Sequence, residues 1–466
     1  MALQVSYHDQ NLSCVGRIVS KTFHGPATPD AAEAAPSGPA SIQAVPALEN
    51  SRPVGEPSRP RYAVRASAAP PGTIGCRMSG GRTVKNPAEA RRVLEERARE
   101  AGFDLVGVAS AEPLREGGER LREWQEAGMA ADMGYMQRPV ELLSNPKRLQ
   151  KSARSVVSLG VSYYPGDHPE NEGGGRVARY AWGRDYHEVI KERLFRLREE
   201  LEGELGARIK ARGFTDAVPL LERSAAQRAG LGFFGRNSCL INGRLGSYFF
   251  IADLIVDLDL RPDPPGTGTC GRCTRCMNRC PTGAIKAPGV VDARLCISYL
   301  TIENRGEIPR ELREQVGDWA FGCDVCQEVC PYNKAKASRS QWPEFSAEAG
   351  HGPYLGIVEV LEIRTDEEFE ERFAGTPLTR PGRAGLLRNC CVAAGNKKLE
   401  EAVPALVRAL HEDSSPLVRG HAAWALGEIG GAEGPLGMAA ETEQDAWCTE
   451  EIRLALADGT TGATLG

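Results

Sequence analysis

Eight cysteines between Cys270 and Cys330 constrain this chain more than any other feature. The first run reads Cys270-x2-Cys273-x2-Cys276-x3-Cys280-Pro281. Thiolates at this spacing wrap three corners of one 4Fe–4S cubane, while the fourth cysteine reaches a neighbouring cluster. The second run, Cys323-x2-Cys326-x3-Cys330-Pro331, has only three cysteines, and Cys296 lies between the runs as the natural substitute. Crossing the ligands assigns Cys270, Cys273, Cys276 and Cys330 to one cluster and Cys280, Cys296, Cys323 and Cys326 to the other. The competing reading is a pair of zinc sites. Zinc prefers C-x2-C knuckles held far apart, and it explains neither the two Cys-Pro endings nor the threefold C-x2-C-x2-C run. Cys14, Cys76, Cys239, Cys390, Cys391 and Cys448 have no partner at useful spacing. They read as small buried hydrophobes or leader residues.

The 14 cysteines of this 466-residue chain thus point to metal binding, not disulfides. No secretory or twin-arginine signal is legible, so a reducing, cytoplasmic compartment is expected. Apolar residues make up 41% and charged residues 26%, as in ordinary soluble proteins. The net charge of −5 leaves nucleic acid only a local basic patch to bind. The most apolar stretch, Tyr248 to Leu260, is short and broken by Asp253, Asp257 and Asp259, so no membrane span is expected.

The length suits two or three domains. Residues 1–84, rich in Ala, Pro, Ser and Gly, read as a disordered leader, and Met78 raises the prospect of a start assigned too far upstream. Asn86-Pro87 reads as an N-cap followed by a first-turn proline, opening a helix that stops at Gly102. Strands are expected over Phe103–Ser110, Ser155–Tyr164 and Ser247–Val256. Ile190, Leu194, Leu197 and Leu201 give His187–Leu205 one apolar face. Arg261 to Thr269 is a Pro/Gly linker. Arg383–Asn396, Glu401–His411 and Pro416–Ile429 read as helices of HEAT type, which stack to bury faces they cannot bury alone. The expected fold is therefore α+β: an α/β domain over 85–262, a ferredoxin-like two-cluster domain over 263–340, and HEAT-like helices over 341–466. Two clusters carry electrons one at a time, and the chain far exceeds a bare ferredoxin. The upstream domain is thus expected to hold the electron acceptor. Gly230-Leu231-Gly232-Phe233-Phe234-Gly235 has the G-x-G-x-x-G form, but no acidic residue follows on a clear βαβ unit, so it reads as a tight turn.

Several ordered segments, spread over roughly residues 85 to 430, resemble the epoxyqueuosine reductases, cobalamin- and iron–sulfur-dependent enzymes of queuosine tRNA modification. They include Arg179-Tyr180-Ala181 with Asp185-Tyr186-His187, and Asp216 with Pro219, Glu222 and Arg223. Further segments are Ala229 to Asn237, Cys296 with Tyr299 to Glu303, Phe321 to Gln327, Cys330 to Asn333, and Leu387-Arg388-Asn389 with Gly395-Asn396. The resemblance implies a cobalamin-binding upstream domain and a two-electron deoxygenation of the epoxyqueuosine epoxide at the wobble position of tRNA. In it, reduced cobalt attacks an epoxide carbon and a proton donor serves the opening oxygen. Asp216 matches the family's donor; alone it would read as a turn or cap residue. Arg223 is expected to hold cobalamin's amide side chains or stabilise negative charge. Arg138, Tyr180, Ala181, Asn237, Ser238 and Tyr299 are pocket candidates by position. Asp185-Tyr186-His187 begins like the D-x-H-x-x-G cobalamin motif, but Ile190 stands at the glycine, so His187 is not read as a cobalt ligand.

The resemblance further implies a tRNA partner, an external electron donor and a monomer. Arg380, Arg383, Arg388, Lys397 and Lys398 form an acid-free segment that reads as a stripe for the tRNA backbone, with Arg305 and Arg310 near the anticodon arm. Two other readings compete. A corrinoid reductive dehalogenase would share both cofactors but is usually exported by a twin-arginine signal. A plain electron carrier would hold clusters and no corrinoid.

Overall fold

The computed structural model describes residues 86–171 and 173–462; the expected leader and the alternative start at Met78 lie outside the described residues. The first helix, α1 (Pro87–Glu100), begins where its cap directs. Asn86 Oδ1 accepts the backbone N–H groups of Ala88 and Glu89 at 3.1 and 3.3 Å. Four strands follow in one sheet: β1 (Leu105–Ser110), β2 (Ser155–Ser162), β3 (Ala211–Phe214) and β4 (Phe249–Val256). Their spatial order is β1-β2-β4-β3, and every neighbouring pair is antiparallel.

Both faces of this sheet are covered. Val157, Leu159 and Val161 of β2 and Phe250, Ala252 and Leu254 of β4 share one core with α1 and with α2 (Tyr186–Leu205). Val156, Phe249 and Ile255 point the other way, onto Ala225 and Ala226 of the short helix α3 (Glu222–Arg228). Two-sided burial explains the nearly unbroken apolar run of β4. It also isolates the exception. Asp253 lies opposite Ser158, whose Oγ donates to Asp253 Oδ1 at 2.5 Å, while Oδ2 has no hydrogen-bond partner among the described residues.

The tail is helical: α4 (Gly382–Lys397), α5 (Val403–Glu412), α6 (Pro416–Ile429), α7 (Glu433–Thr442) and α8 (Ala446–Gly462). Helices α4 and α6, and α6 and α8, pack side by side. Gly395 and Gly420 allow the close approach, because a Cβ at either would run into the Trp424 or Trp447 ring. Helices α7 and α8 lie beyond the stretch whose sequence shows a clear pattern. Their buried apolar positions, Leu436 and Ala439 in α7 and Cys448, Ile452 and Ala455 in α8, are few and partly small. A single buried apolar cluster runs from Ala90 in α1 to Ala455 in α8. No described helix is long and apolar enough to cross a membrane.

The basic stripe expected on the tail is not a stripe. Arg388 is fully buried and donates to the backbone carbonyls of Leu300 (2.7 Å), Asn304 (2.9 Å) and Gly306 (2.6 Å). Arg383 is buried against Asp413, Arg380 pairs with Glu303, Arg310 with Glu451 and Lys398 with Glu428. Charge along a sequence does not say which helix face is covered, and here Arg383 and Arg388 turn inward onto a carboxylate and backbone carbonyls.

Burial pushes the Asp253 carboxyl up to about 7 from an ordinary 3.8. Between those values the unfolded chain ionises this group while the folded chain keeps the proton, so stability falls as pH rises across that interval and stays low above it. Asp253→Asn keeps the Ser158 contact without the charge. It should raise the unfolding temperature, and by more at about pH 8 than at about pH 4. An equal gain at both would show that Asp253 is not a buried acid.

Candidate functional site

The two cysteine runs converge. Cys280, Cys296, Cys323 and Cys326 line one small, nearly apolar chamber together with Ile285, Val291 and Ile297. Cys296 is placed there by the helix Ile297–Ile302, for which it is the N-terminal cap residue. Cys276, Cys270 and Cys330 lie near one another, and Cys330 is also close to Cys273. The structure thus brings all eight cysteines into one lobe, with Cys276 in range of Cys326 as well as of Cys270 and Cys330. Burial pushes the thiols of Cys276 and Cys296 up to about 11. Without a metal they stay protonated, and binding one releases those protons.

Beside this lobe opens a cavity of about 640 Å³. Its walls are apolar at Leu121, Trp124, Met136 and Phe249, and polar at Asp216, Glu222, Arg223 and Ser238. The glycine-rich segment forms one wall as a hairpin in which Phe233–Phe234 pairs with Leu240–Ile241. No βαβ unit is present there. Ser238 sits in the hairpin turn at φ +62° and donates to the carbonyl of Gly289 at 2.6 Å. The Ser238 carbonyl accepts from Arg223 at 2.5 Å.

Asp216 follows β3 in a left-handed backbone conformation, φ +50°, and is 8% exposed. Tyr186 Oη donates to Asp216 Oδ2 at 2.9 Å, and the Glu222 carboxyl accepts the Asp216 backbone N–H. Burial raises the proton affinity of Asp216 above the usual carboxylate range and that of Glu222 well above it. The apolar surroundings expected of a neutral donor are therefore present.

Among the pocket candidates, Arg223 and Ser238 line the cavity, whereas Arg138, Tyr180, Ala181, Asn237 and Tyr299 do not. Asn237 instead donates to the Cys326 carbonyl at 3.3 Å. Tyr299 donates to Asp132, and Tyr180 packs edge-on against Tyr186. His187 stacks on Tyr186 and pairs with Asp185 at 2.8 Å. Sequence reasoning gave Gln327 no site role, yet it borders the cavity and donates to Ser247, while its buried Oε1 has no hydrogen-bond partner among the described residues. It also left Cys239 without a role. Cys239 lines the cavity and its side chain lies close to that of Cys326, so it stands between cavity and cluster lobe. Cys390, Cys391 and Cys448 are buried and unbridged, as the small-hydrophobe reading expects.

His168, Asp324 and Glu328 also come together at metal-like spacing. Arg179 pairs with both carboxylates and Arg176 with Glu328, so their charge is already met. Burial next to two guanidiniums holds His168 down to about 3.

Comparison with known proteins agrees with this geometry. Residues 269–333 match the family described as 4Fe-4S double cluster binding domain, residues 144–217 the family described as epoxyqueuosine reductase QueG, DUF1730, and residues 383–457 HEAT repeats. The chain therefore carries a double 4Fe–4S domain and not a pair of zinc sites. An epoxyqueuosine reductase of Xanthomonas campestris pv. campestris is 40% identical over 359 residues, which cover 76% of this chain and 100% of that protein. One from Pseudomonas aeruginosa is 40% identical over 357 residues, 73% and 95% of the two chains. A crystal structure of epoxyqueuosine reductase with an epoxyqueuosine-modified tRNA-Tyr stem loop superposes with a TM-score of 0.75 at 32% identity, covering 80% of this chain and 100% of that one.

Replacing Cys296 by alanine is expected to lower the iron content of anaerobically reconstituted protein from about eight to about four atoms per chain. Unchanged iron would remove Cys296 from the ligand set.

Proposed function

The chain belongs to the epoxyqueuosine reductase family, and from that premise we propose that it reduces the epoxide of epoxyqueuosine to the alkene of queuosine at the wobble position of tRNA, the last step of queuosine biosynthesis. The observation that carries this is the buried Asp216 carboxyl on the wall of a large cavity that abuts the cluster lobe.

The same proposal assigns the cavity to cobalamin, within a catalytic region over 85–262, followed by the cluster domain over 263–340 and the helical region over 341–466. The residues present fit such a group. The wall offers broad apolar surface, with Arg223 and Ser238 beside it to meet polar groups. Bound there, cobalamin supplies a nucleophilic reduced cobalt, refilled one electron at a time through the clusters from an external donor. Asp216 holds a proton in water-poor surroundings for the oxygen that develops alkoxide character. Cys239 and Asn237 fasten the hairpin wall to Cys326, which fixes the cavity against the cluster lobe.

With Arg383 and Arg388 of the tail buried, the cluster lobe offers a second basic surface for tRNA. No acidic residue occurs from Pro264 to Val291, and Arg272, Arg275, Arg279 and Lys286 are exposed there. Cys270, Gly271, Pro288 and Gly289 of the same segment line the cavity, so phosphates bound by these side chains would lie beside it. The protein is proposed to act on tRNA as a cytoplasmic monomer.

With cobalamin, reductant and epoxyqueuosine-containing tRNA, mass spectrometry should record loss of one oxygen from the nucleoside. Asp216→Asn should slow that loss at least about 100-fold while leaving cobalamin binding intact. No turnover by wild-type protein with clusters filled and cobalamin bound would point to another corrinoid reduction. Arg272→Glu with Arg275→Glu should weaken tRNA binding and flatten its salt dependence by about 0.7–0.9 for each phosphate the protein no longer neutralises. An unchanged salt slope would move the tRNA surface elsewhere.

A further inference from the structure

The large cavity and the cysteine chamber share a wall, because Val291 borders both. From Val291 onward, three hydrogen bonds tie the cluster lobe to another wall of the cavity. Trp124 Nε1, on the helix Arg115–Glu126, donates to the Val291 carbonyl at 2.7 Å. The Ala293 N–H donates to the Met129 carbonyl at 3.0 Å. Tyr299 Oη donates to the Asp132 carboxylate. Trp124, Met129 and Asp132 thus meet Val291, Ala293 and Tyr299 in chain order. Cys296, which lines the chamber, sits midway between the last two of these, three residues from each (296 minus 293, 299 minus 296).

The tied wall has little regular structure of its own. Ala127 to Pro139 forms neither helix nor strand. Ala131 keeps φ +51°, a left-handed conformation that a non-glycine residue holds only where its surroundings dictate it. Gln125 Nε2 donates to the carbonyls of Met136 and Arg138 at 2.6 and 3.0 Å, and Gln137 Nε2 to that of Ala131 at 2.6 Å. These bonds set the curl of the loop. The bonds to Val291, Ala293 and Tyr299 set where it stands against the cluster lobe. Trp124, Met129 and Met136 are what this wall presents to the cavity, whereas Tyr299 does not line it.

We propose that Tyr299 is a positioning residue through which the cysteine segment places this wall, so that filling the chamber around Cys296 tightens the cavity's hold on its cofactor. The inference rests on the reading of the cavity as the cobalamin site. Cys296 joins the turn Ala293–Leu295 to the helix Ile297–Ile302. A thiolate bound to iron fixes both, and each carries one tie to the wall. Without that bond the two ties are anchored to a piece free to shift. A ligand that orders an element shared with a second site raises the affinity of that site. The structure therefore orders assembly: clusters first, cofactor second.

Tyr299→Phe removes the hydroxyl and keeps the ring. With its clusters filled to about eight irons per chain, this variant should bind cobalamin about 3- to 10-fold more weakly than wild type in an absorbance titration. Asp132→Ala should match it, and the two changes together should cost no more than either alone. Asp132→Asn still accepts the hydroxyl and should bind nearly as wild type does. Iron-free wild-type protein should bind at least about fivefold more weakly than the filled form. A second readout needs no cobalamin: amide hydrogen exchange from Met129 to Arg138 should be faster in filled Tyr299→Phe, and in iron-free protein, than in filled wild type. Where iron-free protein unfolds, filled Tyr299→Phe decides alone. Unchanged affinity or unchanged exchange in that variant overturns the proposal. Filled wild-type protein that takes up no cobalamin, while exchange differs as expected, overturns the cofactor reading and leaves the attachment of the wall standing.

Discussion

The cluster lobe and the sheet are joined by a charge pair that water does not reach. Arg179 donates to Asp324 Oδ2 from its backbone at 2.8 Å and from its guanidinium at 3.1 Å, with the side chains 4% and 1% exposed. Such pairs add little net stability, because desolvation offsets the attraction, but removing one partner costs about 3–5 kcal/mol. Their value is fixed geometry. Asp324 lies between Cys323 and Cys326, and Arg179 opens the turn that carries Tyr180. Glu328 extends the lock by accepting from both Arg179 and Arg176. Next to it Gln327 donates to Ser247, and Asn333 holds Ser247 as well. Gln327 and Ser247, which border the cavity, thus belong to the network that positions the loop carrying Cys323 and Cys326.

The helical tail meets the lobe by a different device. Arg388 has no carboxylate beside it. Three carbonyls and Asn389 Oδ1 take its N–H groups, and burial pushes its proton affinity down to about 9. Asn389 in turn donates to the carbonyls of Thr301 and Ala320. Two adjacent side chains of α4 thus satisfy backbone groups just after Cys296 and just before Cys323. The tail is a scaffold for the cluster lobe.

What could be read in the sequence was what local chemistry decides. Cysteine spacing pointed to the double-cluster domain, Asn86-Pro87 to the start of α1, and Ser415-Pro416 with the Ala-rich run after it to α6. Asp216 came from ordered motifs and not from its own surroundings. What escaped depends on contacts distant in sequence. Nothing local distinguishes Arg388, buried among carbonyls, from an exposed arginine. Asp253 was visible only as an interruption of an apolar strand, although a charge inside a two-sided strand is itself a signal of a buried acid. Strand β3 is four residues long with two of them exposed, and it exists because β4 pairs with it. Cys239 looked idle because its partner, Cys326, lies 87 residues later (326 minus 239).

Helix α8 begins only at Ala446, close to the end of the chain, and it carries Glu451. That carboxylate takes two hydrogen bonds from Arg313, at 2.6 and 2.7 Å, and a third from Arg310 at 2.8 Å. Arg313 is among the most deeply buried side chains, and its helix leads directly into the strand before Cys323. A chain cut before Glu451 would look like the loss of a peripheral helix. It would instead strand a guanidinium inside the protein, only ten positions ahead of Cys323 (323 minus 313). The last helix is thus an inseparable part of the redox lobe, and the boundary of the smallest working protein lies beyond it.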